Sequence, residues 1–168
     1  MKTYENYPIG TVILSNLLSI AIYGLGFLIV FKLGLAFALF YLLYIVAFEF
    51  RLIGYHCTNC YYWGKTCGFG KGRLSSWFFK KGDTSEFCKN NMTWRDMIPD
   101  LLITLIPLVI GIILMIMKFD ILILFALLVI AFLTTYGNAQ IRGKLTCNNC
   151  KQRELGCPAE ALFNKGKQ

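Results

Sequence analysis

Charge is absent from four long stretches of the chain. They run from Ile9 to Phe31, from Leu33 to Phe48, from Leu101 to Met117 and from Ile121 to Tyr136. A helix that crosses a bilayer takes about 20 apolar residues, with about 17–25 the usual range. The first stretch meets that length alone. The others meet it with their flanks, Glu49-Phe50, Ile98-Pro99-Asp100 and Gly137-Asn138. Only Lys32 and its neighbours separate the first pair, and only Lys118-Phe119-Asp120 the second, so each pair returns the chain to one membrane face. The pattern predicts an all-α integral membrane protein with four transmembrane helices in two hairpins. Residues 1–50 form the first hairpin and 51–98 a polar segment. Residues 99–138 form the second hairpin and 139–168 a polar tail.

Composition excludes a soluble reading. The 168 residues are 57% hydrophobic and 15% charged, against about 25% charged in soluble domains. Four buried core helices would need a polar shell that this chain lacks. The first apolar stretch reads as a span, since it is too long for a cleavable leader and Glu5 interrupts the basic residues before it.

Charge sets the orientation. Of seventeen Lys and Arg residues, all but Lys32 and Lys118 fall at the N-terminus, in the central segment or in the tail. The positive-inside rule puts that face in the cytosol, with both termini, and the chain is expected in the plasma membrane. Tyr4, Tyr7, Tyr55, Tyr61, Tyr62, Trp63, Trp77, Trp94 and Tyr136 near the span ends suit an interfacial aromatic belt. The run from Ser75 to Gly82 interleaves Trp77, Phe78 and Phe79 with Lys80 and Lys81. It is expected to meet anionic lipid head groups or an acidic protein partner.

All seven cysteines fall on that cytosolic face. Thiols in the cytosol stay reduced, so a cysteine framework there points to metal or redox chemistry before disulfides. Cys57, Cys60 and Cys67 have the spacing C-x2-C-x6-C, and so do Cys147, Cys150 and Cys157. Asn precedes the second cysteine of each triplet, and each triplet follows a hairpin. The common offset of ninety residues suggests a duplicated unit of hairpin plus cysteine knuckle. Two knuckles offer tetrahedral zinc its four thiolates at about 2.3 Å, from Cys57, Cys60, Cys147 and Cys150. Cys67 and Cys157 extend the set to six.

The spacing resembles that of the fungal zinc-cluster transcription factors, where six thiolates hold two zinc ions and two cysteines bridge them. The resemblance covers only Cys57–Cys67 and Cys147–Cys157. It implies a ligand geometry for one or two zinc ions. It does not extend to DNA binding, since no base-reading module accompanies it, and no nucleic-acid partner is expected.

Other ligand sets stay open. Cys88 could join Cys57, Cys60 and Cys67, and His56 could join the C-terminal triplet. An iron–sulfur cluster also uses four thiolates, although its common runs are absent. Gly68, Gly70 and Gly72 form a glycine-rich loop without the P-loop pattern, expected to be mobile against anionic head groups. No catalytic constellation stands out, and the spans lack the ionisable groups of a transport path. The leading expectation is a non-catalytic membrane subunit or scaffold, as a homo-oligomer or part of a larger complex, with a metal tying the hairpins together. A membrane redox protein comes second, and a metal-ion transport or delivery protein third.

Overall fold

A computed structural model describes residues 3–84, 87 and 94–157. Among these the fold is helical. Four helices are long and apolar enough to cross a membrane, which marks a membrane protein.

Helix α1 spans Ile9–Phe31 and α2 spans Leu35–Leu52. Pro8 starts α1 in extended backbone, and its carbonyl accepts from Thr11 N at 3.0 Å. Between the helices the chain reverses at Gly34, whose φ of +131° is left to glycine because a Cβ is disfavoured there. A short helix, α3, covers Lys71–Phe78. Helix α4 covers Trp94–Met117 and α5 Ile121–Phe132. Asp120 caps α5 by accepting from Leu122 N at 2.9 Å, and its other oxygen takes Lys32 Nζ at 3.2 Å. One carboxylate thus caps a helix and links both turns at this end of the molecule.

Three of the helices outrun the uncharged stretches that predict them. Helix α2 runs on through a π-helical turn, Ile53–Cys57. Helix α4 starts at Trp94 instead of near Leu101. Helix α5 continues as a π-helix over Leu133–Thr146, well past Tyr136. In that segment Thr134 and Thr135 hydroxyls donate back to the carbonyls of Ile130 and Ala131, both at 2.7 Å. Such back-bonding takes up i−4 carbonyls and loosens the α pattern, in step with the wider i−5 bonding. Charged residues do not stop a helix. They mark only where its apolar face ends, so Glu49, Asp100 and Arg142 all sit on continuous helix.

Helix α1 is the hub and packs on α2, on α4, on α5 and on the π continuation. Val30, Tyr41, Ile45, Phe48 and Ile103 form the apolar core. Pro107 lies inside α4 and cannot donate to the carbonyl of Ile103, four residues earlier. Tyr41 of α2 takes that place, donating its hydroxyl to Ile103 O at 2.7 Å. Gly26 of α1 makes the room, since a Cβ there would fall on the Tyr41 hydroxyl. Three helices thus meet at one glycine, one tyrosine and one proline.

Candidate metal centre

The two cysteine knuckles share local geometry at the ninety-residue offset. Cys60 N donates to Cys57 O at 3.4 Å, and Cys150 N to Cys147 O at 3.2 Å. The next turn repeats the match, with Trp63 N on Cys60 O at 3.0 Å and Arg153 N on Cys150 O at 3.1 Å. The backbone N–H of Tyr62 at Cys60, and those of Gln152 and Arg153 at Cys150, favour the thiolate form of each sulfur. Each knuckle follows a π-helical segment. Backbone N–H groups aimed at sulfur favour the thiolate, which is the form that binds metal.

The glycine-rich loop is packed, contrary to the expectation of a mobile one. Gly72 N donates to the Cys67 sulfur at 3.3 Å, and Gly70 N to Cys67 O at 2.9 Å. A Cβ on Gly72 would land on the carbonyl oxygen of Tyr62 and lie 2.8 Å from that of Lys65. Gly70, at φ +73°, lets the chain turn into α3 beside Val12 of α1. Lys71, the first residue of α3, pairs with Glu49 of α2, and Tyr23 of α1 donates to that carboxylate at 2.6 Å. Lys71 is therefore bound within the fold. Trp77 and Phe78 remain exposed, at 75% and 59%.

The knuckles lie against each other. Tyr61 N donates to Gln152 Oε1 at 2.8 Å, and Lys151 N to the Tyr62 hydroxyl at 3.0 Å. The N-terminal segment threads between them. Tyr4 N donates to Asn149 O at 3.1 Å and Tyr7 N to Thr66 O at 2.9 Å. The hydroxyls of Tyr7 and Tyr62 donate to Thr146 O and Tyr4 O, both at 2.6 Å. Glu5 takes Lys65 at 3.2 Å, Lys151, and the Tyr61 hydroxyl at 2.6 Å. Those hydrogen bonds, Lys151 first, hold the Glu5 carboxyl down to about 2. Four tyrosines expected in a lipid belt, Tyr4, Tyr7, Tyr61 and Tyr62, thus form a ladder of tilted and edge-to-face rings inside this interface. Backbone carbonyls that accept from the Tyr7 and Tyr62 hydroxyls make the burial of those two rings tolerable. Tyr55 and Tyr136 are exposed, as a belt requires. The sequence reading missed Glu5, Gln152 and this ladder. The available signal was polar-aromatic clustering, Tyr4-Glu5-Asn6-Tyr7 and Tyr61-Tyr62, beside the cysteine motifs.

The six cysteines from Cys57 to Cys157 are free thiols, and Cys88 lies outside the described residues. Burial pushes the Cys60 thiol up to about 12, and Cys150, Cys67 and Cys157 add to that push by charge. The Cys150 thiol is also raised, first by burial and then by Cys157 and Cys67, against the N–H groups of Gln152 and Arg153. Electrostatic reach across the interface therefore runs through Cys60, Cys67, Cys150 and Cys157. Cys57 lies within reach of Cys67 and Cys60, and Cys147 of Cys150 and Cys157. Among the described residues, no three His, Cys, Asp or Glu side chains converge as closely as a metal ion requires. The donor chemistry suits a soft cation such as zinc, while the side chains stand apart. His56 is directed elsewhere. It lines a cavity of 250 Å³ beside Arg51, Asp96 and Asp100, so it does not complete the C-terminal triplet.

Comparison with known proteins returns no match: no family model, no curated protein and no solved structure matches this chain.

Proposed function

We propose that this chain is a non-catalytic membrane subunit or scaffold, in which two helical hairpins of one orientation are tied together by a cysteine-ligated metal, zinc by preference. In this reading the knuckles and both termini face the cytosol at the plasma membrane, and the repeat arose by duplication. The observation that carries it is the paired knuckle geometry. The same turn bonds occur ninety residues apart, with backbone N–H groups favouring the thiolate at Cys60 and Cys150 alike, on segments held against each other by Gln152, Tyr62 and Glu5. The ligands are drawn from Cys57, Cys60, Cys67, Cys147, Cys150 and Cys157. Cys60 and Cys150, each within electrostatic reach of Cys67 and Cys157, anchor the set shared by both knuckles.

Metal binding in this reading requires the sulfurs to close in on the ion. Burial raises the Cys60 and Cys150 thiols toward their neutral form, which gives them no reason to converge, and a dication reverses that effect. The exposed Trp77-Phe78 face of α3, with Lys80 and Lys81 following, is then the surface offered to anionic lipid or an acidic partner.

The test is metal content per chain after anaerobic purification, with the absorption spectrum. Colourless protein carrying zinc is expected, and Cys60→Ser and Cys150→Ser should each lower the same zinc signal. If Cys150→Ser keeps full occupancy while Cys60→Ser loses it, the shared site is wrong and the ligands are local to the first knuckle. Visible iron–sulfur bands would turn the reading to electron transfer.

A further inference from the structure

Among the described residues, one cationic side chain lies between the spans with no carboxylate against it. Arg142, on the π continuation of α5, donates through Nη2 to the Ser19 hydroxyl at 2.6 Å. Ser19 lies twelve residues before Phe31, about 18 Å along α1 at 1.5 Å per residue and so inside a hydrocarbon layer of about 30 Å. The guanidinium also sits over the Phe69 ring, 5.5 Å from its centroid. Its Nε is buried without a hydrogen-bond partner, and so is Asn138 Oδ1 one helical turn earlier. Among the described residues no acidic oxygen lies within 4.0 Å of Arg142, and the Glu49 carboxylate is already taken by Lys71 and Tyr23.

Arg142 and Asn138 line a cavity of 410 Å³ between α1, α4 and the fourth span. Ile98, Leu101 and Leu108 give it apolar walls, and Leu101 is 62% exposed at its edge. Asp100 also lines it, within electrostatic reach of Arg142 but not paired with it. A half-buried guanidinium whose Nε–H is buried and unused calls for an anion. Apolar walls at membrane depth call for an acyl chain beside that anion, and Asp100 calls for a hydrogen-bond donor beyond it.

We propose that this cavity binds one membrane phospholipid, with its phosphate on Arg142, a donor-bearing head group such as ethanolamine directed to Asp100, and acyl carbon along Leu101 and Leu108. The site is separate from the cysteine centre and does not depend on metal there. It makes the lipid a structural ligand that fills the space between the first and fourth spans.

The test is native mass spectrometry of the full chain in mixed micelles, with phosphatidylethanolamine or phosphatidylcholine titrated in. Wild type should retain one phosphatidylethanolamine per chain and prefer it over phosphatidylcholine. Arg142→Gln should weaken retention roughly tenfold or more, the loss expected for a charge-assisted contact, while Arg142→Lys retains part of it. Asp100→Asn should erase the head-group preference but keep binding. Leu101→Trp, on an exposed wall that should leave folding intact, should block the acyl path and lower retention with Arg142 untouched. Unchanged retention in both Arg142→Gln and Leu101→Trp would overturn the proposal. So would equal stabilisation of lipid-free protein by inorganic phosphate, which would make this a free-anion site.

Discussion

Tyr41 carries a load that its partner Pro107 creates. The proline leaves the Ile103 carbonyl without its usual helical donor, and the Tyr41 hydroxyl fills the gap at 2.7 Å, with Ile103 2% exposed. Tyr41→Phe keeps the ring and strands a buried carbonyl, a change that costs about 1–3 kcal/mol in soluble proteins. Between membrane helices the same kind of bond averages about 0.6 kcal/mol and reaches about 1.7, so a cost near 1 kcal/mol is expected. Pro107→Ala supplies the missing N–H and relieves the need for the tyrosine, at the expense of a fully buried ring. The signature is therefore the double-mutant cycle. Tyr41→Phe should cost less in the Pro107→Ala background, with a coupling of about 0.6–1.7 kcal/mol. Reversible unfolding in detergent micelles, followed by circular dichroism, measures all four corners. Additive costs, within about 0.3–0.5 kcal/mol, would refute the claim that the tyrosine stands in for the proline's absent donor.

Two further outcomes follow from packing and charge. Gly72→Ala should destabilise by about 1–3 kcal/mol or more, because backbone carbonyls block its Cβ. Gly24→Ala, with open space around it, should gain about 0.5–1 kcal/mol, and equal thermal shifts for the two would contradict the close approach. Glu5 titrates near 2 in the folded protein, below its ordinary 4.5. Its contribution is therefore present above about pH 4.5 and lost as pH falls from 4.5 toward 2. Proteolysis of the N-terminal segment should accelerate across that window and with added salt. In Glu5→Gln the segment should be cut quickly at every pH, and a wild-type protection profile in that variant would sink the clamp.

The spans were legible in the sequence because charge is costly in hydrocarbon, and the first helix falls where the uncharged stretch does, Ile9–Phe31. The later helix ends were not legible. A stretch without charge gives the apolar length of a helix, and backbone bonding carries the helix past it through Glu49 and Arg142. The cysteine motifs announced two knuckles, and their spacing anticipated the matched turns. The residues that hold the knuckles together were hidden, because Glu5, Tyr7 and Gln152 pair with segments about sixty to nearly one hundred and fifty residues away. No local pattern carries such a distance. Arg142 read as a tail cation for the same reason, since only its meeting with Ser19 puts it between helices.

The π-helical stretch Leu133–Thr146 has a consequence for length. From Lys32 to Cys57 the chain runs twenty-five residues, and from Lys118 to Cys147 twenty-nine. Four surplus residues of α-helix would lift the second knuckle by about 6 Å, out of register with the first. A wider coil advances less per residue, and the second half holds fourteen residues of it against five in the first. The wider coil takes up part of that surplus as girth instead of height, and the two knuckles still meet, Tyr61 N on Gln152 Oε1 at 2.8 Å and Lys151 N on the Tyr62 hydroxyl at 3.0 Å.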